Sequence, residues 1–259
     1  MKDRLVDWFR DKKGAVIAFS GGVDSSVVAT AAKEALGERA IAATSDSMIF
    51  PNIELAHAKR LADEMGIIHE VFKNELLNPL FIKNPKERCY HCRKGLIESL
   101  KTVAHRYNVT CIVDGANADD MREHRPGMKA MKEAGVKSPL LELCITKAAV
   151  REIAREFGLS VHKKPAMACL ASRIPYGERI TEEKLRRIEK AENFLRGMGL
   201  SQMRVRHHDS TARIEVLREE MPTVLENKVQ VVRELKELGF AYVTLDIQGY
   251  RSGSMDEVI

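Results

Sequence analysis

The chain has no apolar run near the roughly 20 residues a membrane span needs, and its opening stretch, Met1 to Arg10, is charged and amphipathic instead of holding the apolar core of a leader. A membrane protein and an exported one are therefore not expected, and a cytoplasmic location is. The cysteines, Cys89, Cys92, Cys111, Cys144 and Cys169, are odd in number. Without an export signal, that excludes a disulfide framework and leaves thiols, metal ligands or catalytic groups. Strong charge of one sign is also missing. A net charge of +5 suits phosphorylated substrates and does not signal nucleic acid, which is not expected as a partner. No G-x-x-x-x-G-K-[ST] occurs, nor G-x-G-x-x-G, so neither a Walker A loop nor a dinucleotide fingerprint is present. There are no repeats and no low-complexity segment.

What is there is an ordinary globular composition: 259 residues, 44% hydrophobic and 31% charged, enough for one large domain or two small ones. The most informative stretch is Ser20-Gly21-Gly22-Val23-Asp24-Ser25-Ser26. It follows the apolar run Ala15 to Phe19, read as a buried strand, and precedes Val27 to Ala32, read as helix. Strand, Gly-Gly turn and helix start make an anion cradle: glycine lets the backbone turn and approach a ligand, and the free amides and dipole of the helix hold phosphate oxygens. The loop resembles the PP-loop of the ATP pyrophosphatases, S-G-G-x-D-S. Members of that superfamily bind the pyrophosphate end of ATP and transfer AMP to an acceptor oxygen. The competing reading is a serine-rich turn before a helix.

Strands and helices alternate through the first two-thirds. Strands are expected at Ala15–Phe19, Ala40–Thr44, Ile67–Val71 and Val109–Val113. Helices are expected at Asn52–Met65 (Asn52 as N-cap, Gly66 as stop), Tyr90–Tyr107 and from Thr146 to Phe157. The implied fold is α/β, a parallel sheet covered by helices, with ligands beyond the carboxyl ends of the strands. The Ser20 loop, Thr44-Ser45-Asp46 and Asp114-Gly115 fall there. A break with Pro165, Pro175 and Gly177 separates residues 1–177 from a smaller α+β domain, 178–259. In that domain Thr181 caps a charged helix, Met203–His207 and Thr211–Val216 read as strands, Met221–Leu238 as a helix and Tyr242–Asp246 as a last strand.

Cys89 and Cys92 form a C-x-x-C at a helix start, and Cys169 lies in the loop Ala168–Arg173. From spacing alone three readings stay open: zinc with a fourth ligand such as His91, a redox dithiol of Cys89 and Cys92, or a three-cysteine iron–sulfur cluster with one open iron. Cys111 and Cys144 read as structural. In Asp114–Asp120, carboxylates could hold Mg²⁺ against ATP phosphates, or simply form an Asp/Asn/Gly turn. Arg125 adds a cation in the same long loop. Arg204 and Arg206 alternate on one strand with His208 nearby, which suits a phosphate or a solvated strand face. His57 and His69 read as surface or structural.

Taken together, the PP-loop, Asp114–Asp120 with His124–Gly127, Ala168–Arg173 with Ile174–Gly177, and Tyr242–Asp246 with Gly249–Gly253 resemble the LarE family over nearly the whole chain. These are the ATP-dependent sulfur transferases of nickel-pincer nucleotide synthesis, which supplies the cofactor of lactate racemase. The resemblance implies two domains, a homohexamer, and adenylation of a carboxylate of pyridinium-3,5-biscarboxylic acid mononucleotide followed by displacement of AMP by sulfur. It implies that Ser20, Gly21, Gly22, Asp24, Ser25, Ser26, Ser45, Asp114 and Gly115 hold ATP with Mg²⁺, Asp24 and Cys169 being catalytic. Ser172, Arg173, Arg204 and Arg206 would bind the substrate's phosphate, with Glu192 and Glu215 at acidic positions near the substrate and metal site. Some members sacrifice a cysteine matching Cys169. Others bind a 4Fe–4S cluster through three cysteines, and Cys89, Cys92 and Cys169 place this chain with them. A tRNA thiolase is the alternative, although no RNA-binding zinc or basic domain is visible. A non-catalytic nucleotide-binding regulator, or an amidotransferase-type synthetase lacking a glutaminase segment before the loop, is a weaker match.

Overall fold

A computed structural model of the chain describes residues 1–73, 78–122, 126–164, 168–251 and 253–255. The chain divides into two compact units, one of Met1–Phe81 with Glu87–Met167 and one of Ile82–Lys86 with Ala168–Ile259. The second unit thus takes in residues 168–177 and also 82–86. The physical reason is Asn84, whose side-chain amide donates to the carbonyls of Ile174 (3.3 Å), Pro175 (2.7 Å) and Glu178 (3.0 Å).

In the first unit, strands β1 (Ala15–Ala18), β2 (Ala40–Asp46), β3 (Ile68–Lys73) and β4 (Cys111–Val113) form one parallel sheet in the order β3-β2-β1-β4. Ala15 stands opposite Ala40 on one side and Cys111 on the other. Helices α1 (Lys2–Arg10), α2 (Val23–Leu36), α3 (Asn52–Met65), α4 (Arg88–Arg106), α5 (Pro126–Glu133) and α6 (Lys147–Glu156) belong to the same unit. α2 is rich in small residues and buried on several sides: Val27, Val28, Ala29, Ala31 and Ala32 are inaccessible to solvent. Alanines let α1, α6 and the sheet approach it closely, so the helix whose amino end shapes the anion cradle is itself held within the core.

In the second unit, β5 (Met203–His208) pairs antiparallel with β6 (Thr211–Val216), and β6 pairs parallel with β7 (Tyr242–Leu245). Helix α7 (Glu182–Gly197) opens with Thr181 accepting from the Lys184 amide, and its Ala191 and Leu195 join Met203, Val205, Ile214 and Leu235 in a separate core. The helix expected over 221–238 is two helices, α8 (Met221–Glu226) and α9 (Lys228–Glu237). Asn227 makes the break: its side chain donates to the Thr223 carbonyl at 2.8 Å, while its backbone leaves helical geometry.

Other boundaries shift for local reasons. Pro51, not Asn52, caps α3, whereas Gly66 ends it in the left-handed conformation. β4 is shorter than expected because Asn108 turns with φ 51° and the Val109 amide still bonds to Ala104 of α4. Cys144 is not a core residue: it is exposed and left-handed, φ 56°. Cys111 opens β4, half-buried, and burial pushes its thiol up. Among the described residues no helix is long and apolar enough to cross a membrane.

Candidate functional site

The anion cradle forms as the strand–turn–helix pattern requires. Gly21 takes φ +69°, and a Cβ there would lie 3.0 Å from the Cα of Ala58 on α3, so the loop is pressed against that helix where only glycine fits. Gly22 caps α2. The first intrahelical bond runs from Ser26 N to Gly22 O at 3.0 Å, which leaves the amides of Val23, Asp24 and Ser25 without an acceptor in the helix. The hydroxyls brace the turn: Ser25 Oγ donates to Gly22 O (3.1 Å), accepts from Ser20 N (3.2 Å) and contacts Ser20 Oγ (3.1 Å), and Ser26 Oγ donates to Gly22 O (2.8 Å). Ser25 and Ser26 are buried while Ser20 is exposed. The cradle therefore offers oriented amides on a stiff support, which is what anion binding needs.

A second loop is knitted onto it. A Cβ on Gly115 would sit 2.8 Å from the Ser25 amide nitrogen and 3.1 Å from Asp24 C, so the strand-end loop after β4 lies backbone to backbone on the first turn of α2. From that loop the Asn117 side chain donates to Asp24 Oδ1 at 3.2 Å. Asn117 is in turn fixed by Asp120 and Asp119, at 3.0 Å each. Asp24 Oδ2 accepts from Lys147 Nζ, and the Lys147 amide donates to Asp119 Oδ2 at 2.7 Å. Asp114 is half-buried, accepting from Ser138 Oγ (2.7 Å) and the Ala116 amide (3.1 Å). Burial raises its carboxyl above the usual range despite these bonds. Ser45 Oγ, at the carboxyl end of β2, is buried with no hydrogen-bond partner among the described residues. Arg93 of α4 packs over Gly127 and exerts its charge on Asp114. Arg125 lies outside the described residues.

Lys147 is the residue that sequence reasoning missed. A lysine in the first turn of a helix opposes the macrodipole, and such a local conflict marks a site. The signal was present in Thr146-Lys147 and was read only as a cap.

In the second unit the structure brings Ser172, Arg173, Glu192, Arg204, Arg206 and Glu215 into one buried polar network. Arg173 is wholly buried and forms a two-pronged pair with Glu192, Nε to Oε1 at 2.8 Å and Nη2 to Oε2 at 2.9 Å. Its remaining nitrogen donates to the carbonyls of Ala168 (2.8 Å) and Cys169 (3.0 Å), and Ser172 Oγ donates to the Cys169 carbonyl at 2.7 Å. The backbone that carries the Cys169 thiol is thereby fixed. Arg206 pairs with Glu215 at 2.7 Å and donates to Ser254 Oγ (2.9 Å) and the Ser172 carbonyl (3.1 Å). Arg204 differs. It is buried, with a bond to the Met203 carbonyl at 2.6 Å and its guanidinium over the Tyr250 ring at 5.0 Å, but it has no carboxylate partner among the described residues. Burial and the neighbouring Arg173 push it down to about 10. Glu192 pulls the other way and is outweighed, and a desolvated cation with no carboxylate bonded to it among the described residues is the feature an anionic ligand would complete.

Cys89 lies in the first turn of α4 and Cys92 at the start of its second, in the first unit, Cys89 exposed and Cys92 half-exposed. Cys169 precedes a 3₁₀ turn in the second, and all three are free of disulfides. Among the described residues no group of three or more His, Cys, Asp or Glu stands ready for a metal. Thiolates are the soft ligands iron–sulfur clusters take, and Cys89 and Cys92, an i,i+3 pair, share one helix face of the first unit. Hard carboxylates around the cradle fit Mg²⁺ arriving with phosphates, since that ion keeps waters and takes few protein ligands. A cavity of about 320 Å³ against Trp8, Lys12, Cys111 and Lys137 lies at the opposite, amino edge of the sheet, away from where parallel sheets bind ligands.

Comparison with known proteins agrees with this placement. The NAD synthase family model matches residues 5–110, the part that holds the cradle. An uncharacterized protein of Synechocystis sp. is 42% identical over 260 residues, covering 99% of this chain and 97% of its own length. The pyridinium-3,5-bisthiocarboxylic acid mononucleotide synthase of Lactiplantibacillus plantarum is 35% identical over 260 residues, covering 100% of this chain and 94% of its own. An uncharacterized protein of Methanocaldococcus jannaschii is 32% identical over 256 residues, covering 97% and 96%.

Proposed function

This chain belongs to the LarE family, that of the pyridinium-3,5-bisthiocarboxylic acid mononucleotide synthase, with a PP-loop domain, and from that premise we propose that it is an ATP-dependent sulfur transferase converting the carboxylates of pyridinium-3,5-biscarboxylic acid mononucleotide to thiocarboxylates. The observation that carries the proposal is the presence in one family member of two anion sites: the stiff amide cradle at Ser20–Ser26 and the buried guanidinium of Arg204, with no carboxylate bonded to it among the described residues.

The reaction divides between them. A substrate carboxylate oxygen attacks the α-phosphorus of ATP, the bond to the β-phosphate oxygen breaks and pyrophosphate leaves. A sulfur nucleophile then attacks the acyl carbon and AMP departs with the carboxylate oxygen. The free amides of Val23, Asp24 and Ser25 hold the pyrophosphate as its charge grows, and such oriented donors are worth roughly 10²–10³ in rate each. Lys147, held at the cradle by Asp24, neutralises charge on the phosphates. Gly21, Gly22 and Gly115 permit the close approach, and Ser45 offers its unpaired hydroxyl to the nucleotide. Asp24 and Asp114 would hold the metal that accompanies ATP. Arg204, with Ser172 and Arg206, binds the substrate's phosphate. Arg173 with Glu192, and Glu215 with Arg206, keep that site rigid and hold the Cys169 loop in place.

Sulfur transfer depends on Cys169. Cys89, Cys92 and Cys169 would hold a 4Fe–4S cluster, which supplies an open iron for a sulfide. The chain works as a homohexamer in the cytoplasm. The test is an anaerobic preparation mixed with Mg·ATP, the biscarboxylate and sulfide. The expected result is pyrophosphate release only when the biscarboxylate is present, several thiocarboxylates per chain and about four irons per chain. Dehydroalanine at Cys169 after a single turnover would replace the cluster with a sacrificial cysteine. ATP-dependent thiolation of tRNA in its place would refute the proposal.

A further inference from the structure

One cluster of titratable side chains beside the cradle is not used above. Glu54, His57, Ala58 and Leu61 recur on one face of α3 by their spacing, and Ala58 and Leu61 are buried. This is the face against which Gly21 is pressed, through Ala58. Lys164 Nζ donates to Glu54 Oε2 at 2.7 Å, both side chains being largely buried, and approaches His57 Nδ1 at 3.2 Å.

An ammonium has three donors and no acceptor. The Lys164–His57 contact therefore has one sense: His57 Nδ1 accepts, the ring is neutral, and its single proton is on Nε2. Burial and the Lys164 charge both hold the imidazole below its usual range, and Arg60 adds to them. Glu54 and Glu64 pull the other way and are outweighed. α3 links the parallel strands β2 and β3, so it runs antiparallel to them. Its amino end, with His57 in the second turn, stands at the carboxyl edge of the sheet, where the cradle is. Helical Cβ bonds tilt toward that same end.

We propose that His57 is a nucleotide-binding residue, donating from Nε2–H to the adenine nucleotide held in the Ser20–Ser26 cradle, and that Lys164 and Glu54 are positioning residues that fix its tautomer. This rests on the ATP reading given above. A neutral donor of fixed tautomer orients the nucleotide without adding charge that would retain the departing pyrophosphate.

The test measures binding of a non-hydrolysable ATP analogue with Mg²⁺ by calorimetry on the whole chain, and the His57 tautomer by nitrogen NMR. His57→Ala should weaken binding about tenfold or more, the usual loss for a hydrogen bond to a charged group. His57→Gln, which can place an amide N–H nearby, should recover most of it. Lys164→Met, which also strands the Glu54 carboxylate and so lowers the melting temperature, should raise the ring pKa seen by NMR and make analogue affinity pH-dependent between about 5 and 7. A purely structural cluster would move stability and the ring pKa and leave analogue affinity and its pH dependence alone. The inference is overturned if His57→Ala binds the analogue like wild type, or if the free ring carries its proton on Nδ1. If wild-type protein itself does not bind the analogue, the ATP reading is what has failed.

Discussion

Replacing Glu192 by glutamine keeps the shape of the side chain and removes its charge. In the structure that carboxylate takes two bonds from Arg173, at 2.8 and 2.9 Å, and one from the Val205 amide at 3.1 Å, all buried. Glutamine leaves one oxygen to accept and turns an NH₂ toward a guanidinium that can only donate. Arg173, at 0% exposure, then becomes a buried cation without its counter-charge. Losing one partner of such a pair costs about 3–5 kcal/mol. For a unit of about 100 residues each kcal/mol is worth about 4–8 °C, so the second unit should melt at least about 12 °C lower. Differential scanning calorimetry would read the shift, and hydrogen exchange in β5, which Glu192 holds through Val205, would locate it. Arg173→Met with Glu192→Met should lose less than either single change, because no charge is stranded. A glutamine variant melting within about 2 °C of wild type would refute the pairing as drawn.

Gly115→Ala would place a methyl 2.8 Å from the Ser25 amide nitrogen, where every near atom is backbone. Pyrophosphate release should fall roughly 10²-fold as the cradle shifts, with a modest loss of melting temperature. Lys147→Met should lower kcat/KM for ATP by about 10²–10³, while leaving the fold intact by circular dichroism. Buried His207 has no hydrogen-bond partner on either ring nitrogen among the described residues, and burial, with Lys184 and Arg187, outweighs Glu178 at 3.8 Å to hold its pKa down. The unfolded state therefore takes up the proton first: stability is full above the unfolded value of about 6.5 and falls as pH drops below it. Urea midpoints at pH 7.5 and 5.5 should differ, and His207→Phe should narrow the gap.

The cradle was legible because each part has a local cause: an apolar strand, a Gly-Gly turn and a helix start lie within a dozen residues. So were the parallel sheet and the strands of the second core, although the unit that holds that core also takes in residues 168–177 and 82–86. The partner of Lys147 escaped because the Asp24 carboxylate it meets stands 123 residues away; its place in a helix's first turn marks Lys147 itself but does not encode the pair. For the same reason the sequence showed arginines and glutamates at 173, 192, 206 and 215 without showing which would pair and that Arg204 would be left over. Cys144 looked apolar by its neighbours, but its left-handed turn sends it outward. Asn227 looked like one polar residue on a long helix, and its amide, by capping the helix before it, split that helix.

The central claim is that a substrate carboxylate is adenylated and then displaced by sulfur, and isotope transfer tests it most directly. Biscarboxylate labelled with heavy oxygen in its carboxylates is turned over with Mg·ATP and sulfide, and the AMP is weighed by mass spectrometry. The account predicts one labelled oxygen in every AMP formed and a thiocarboxylate product in equal amount. Unlabelled AMP, or ADP in its place, would contradict it.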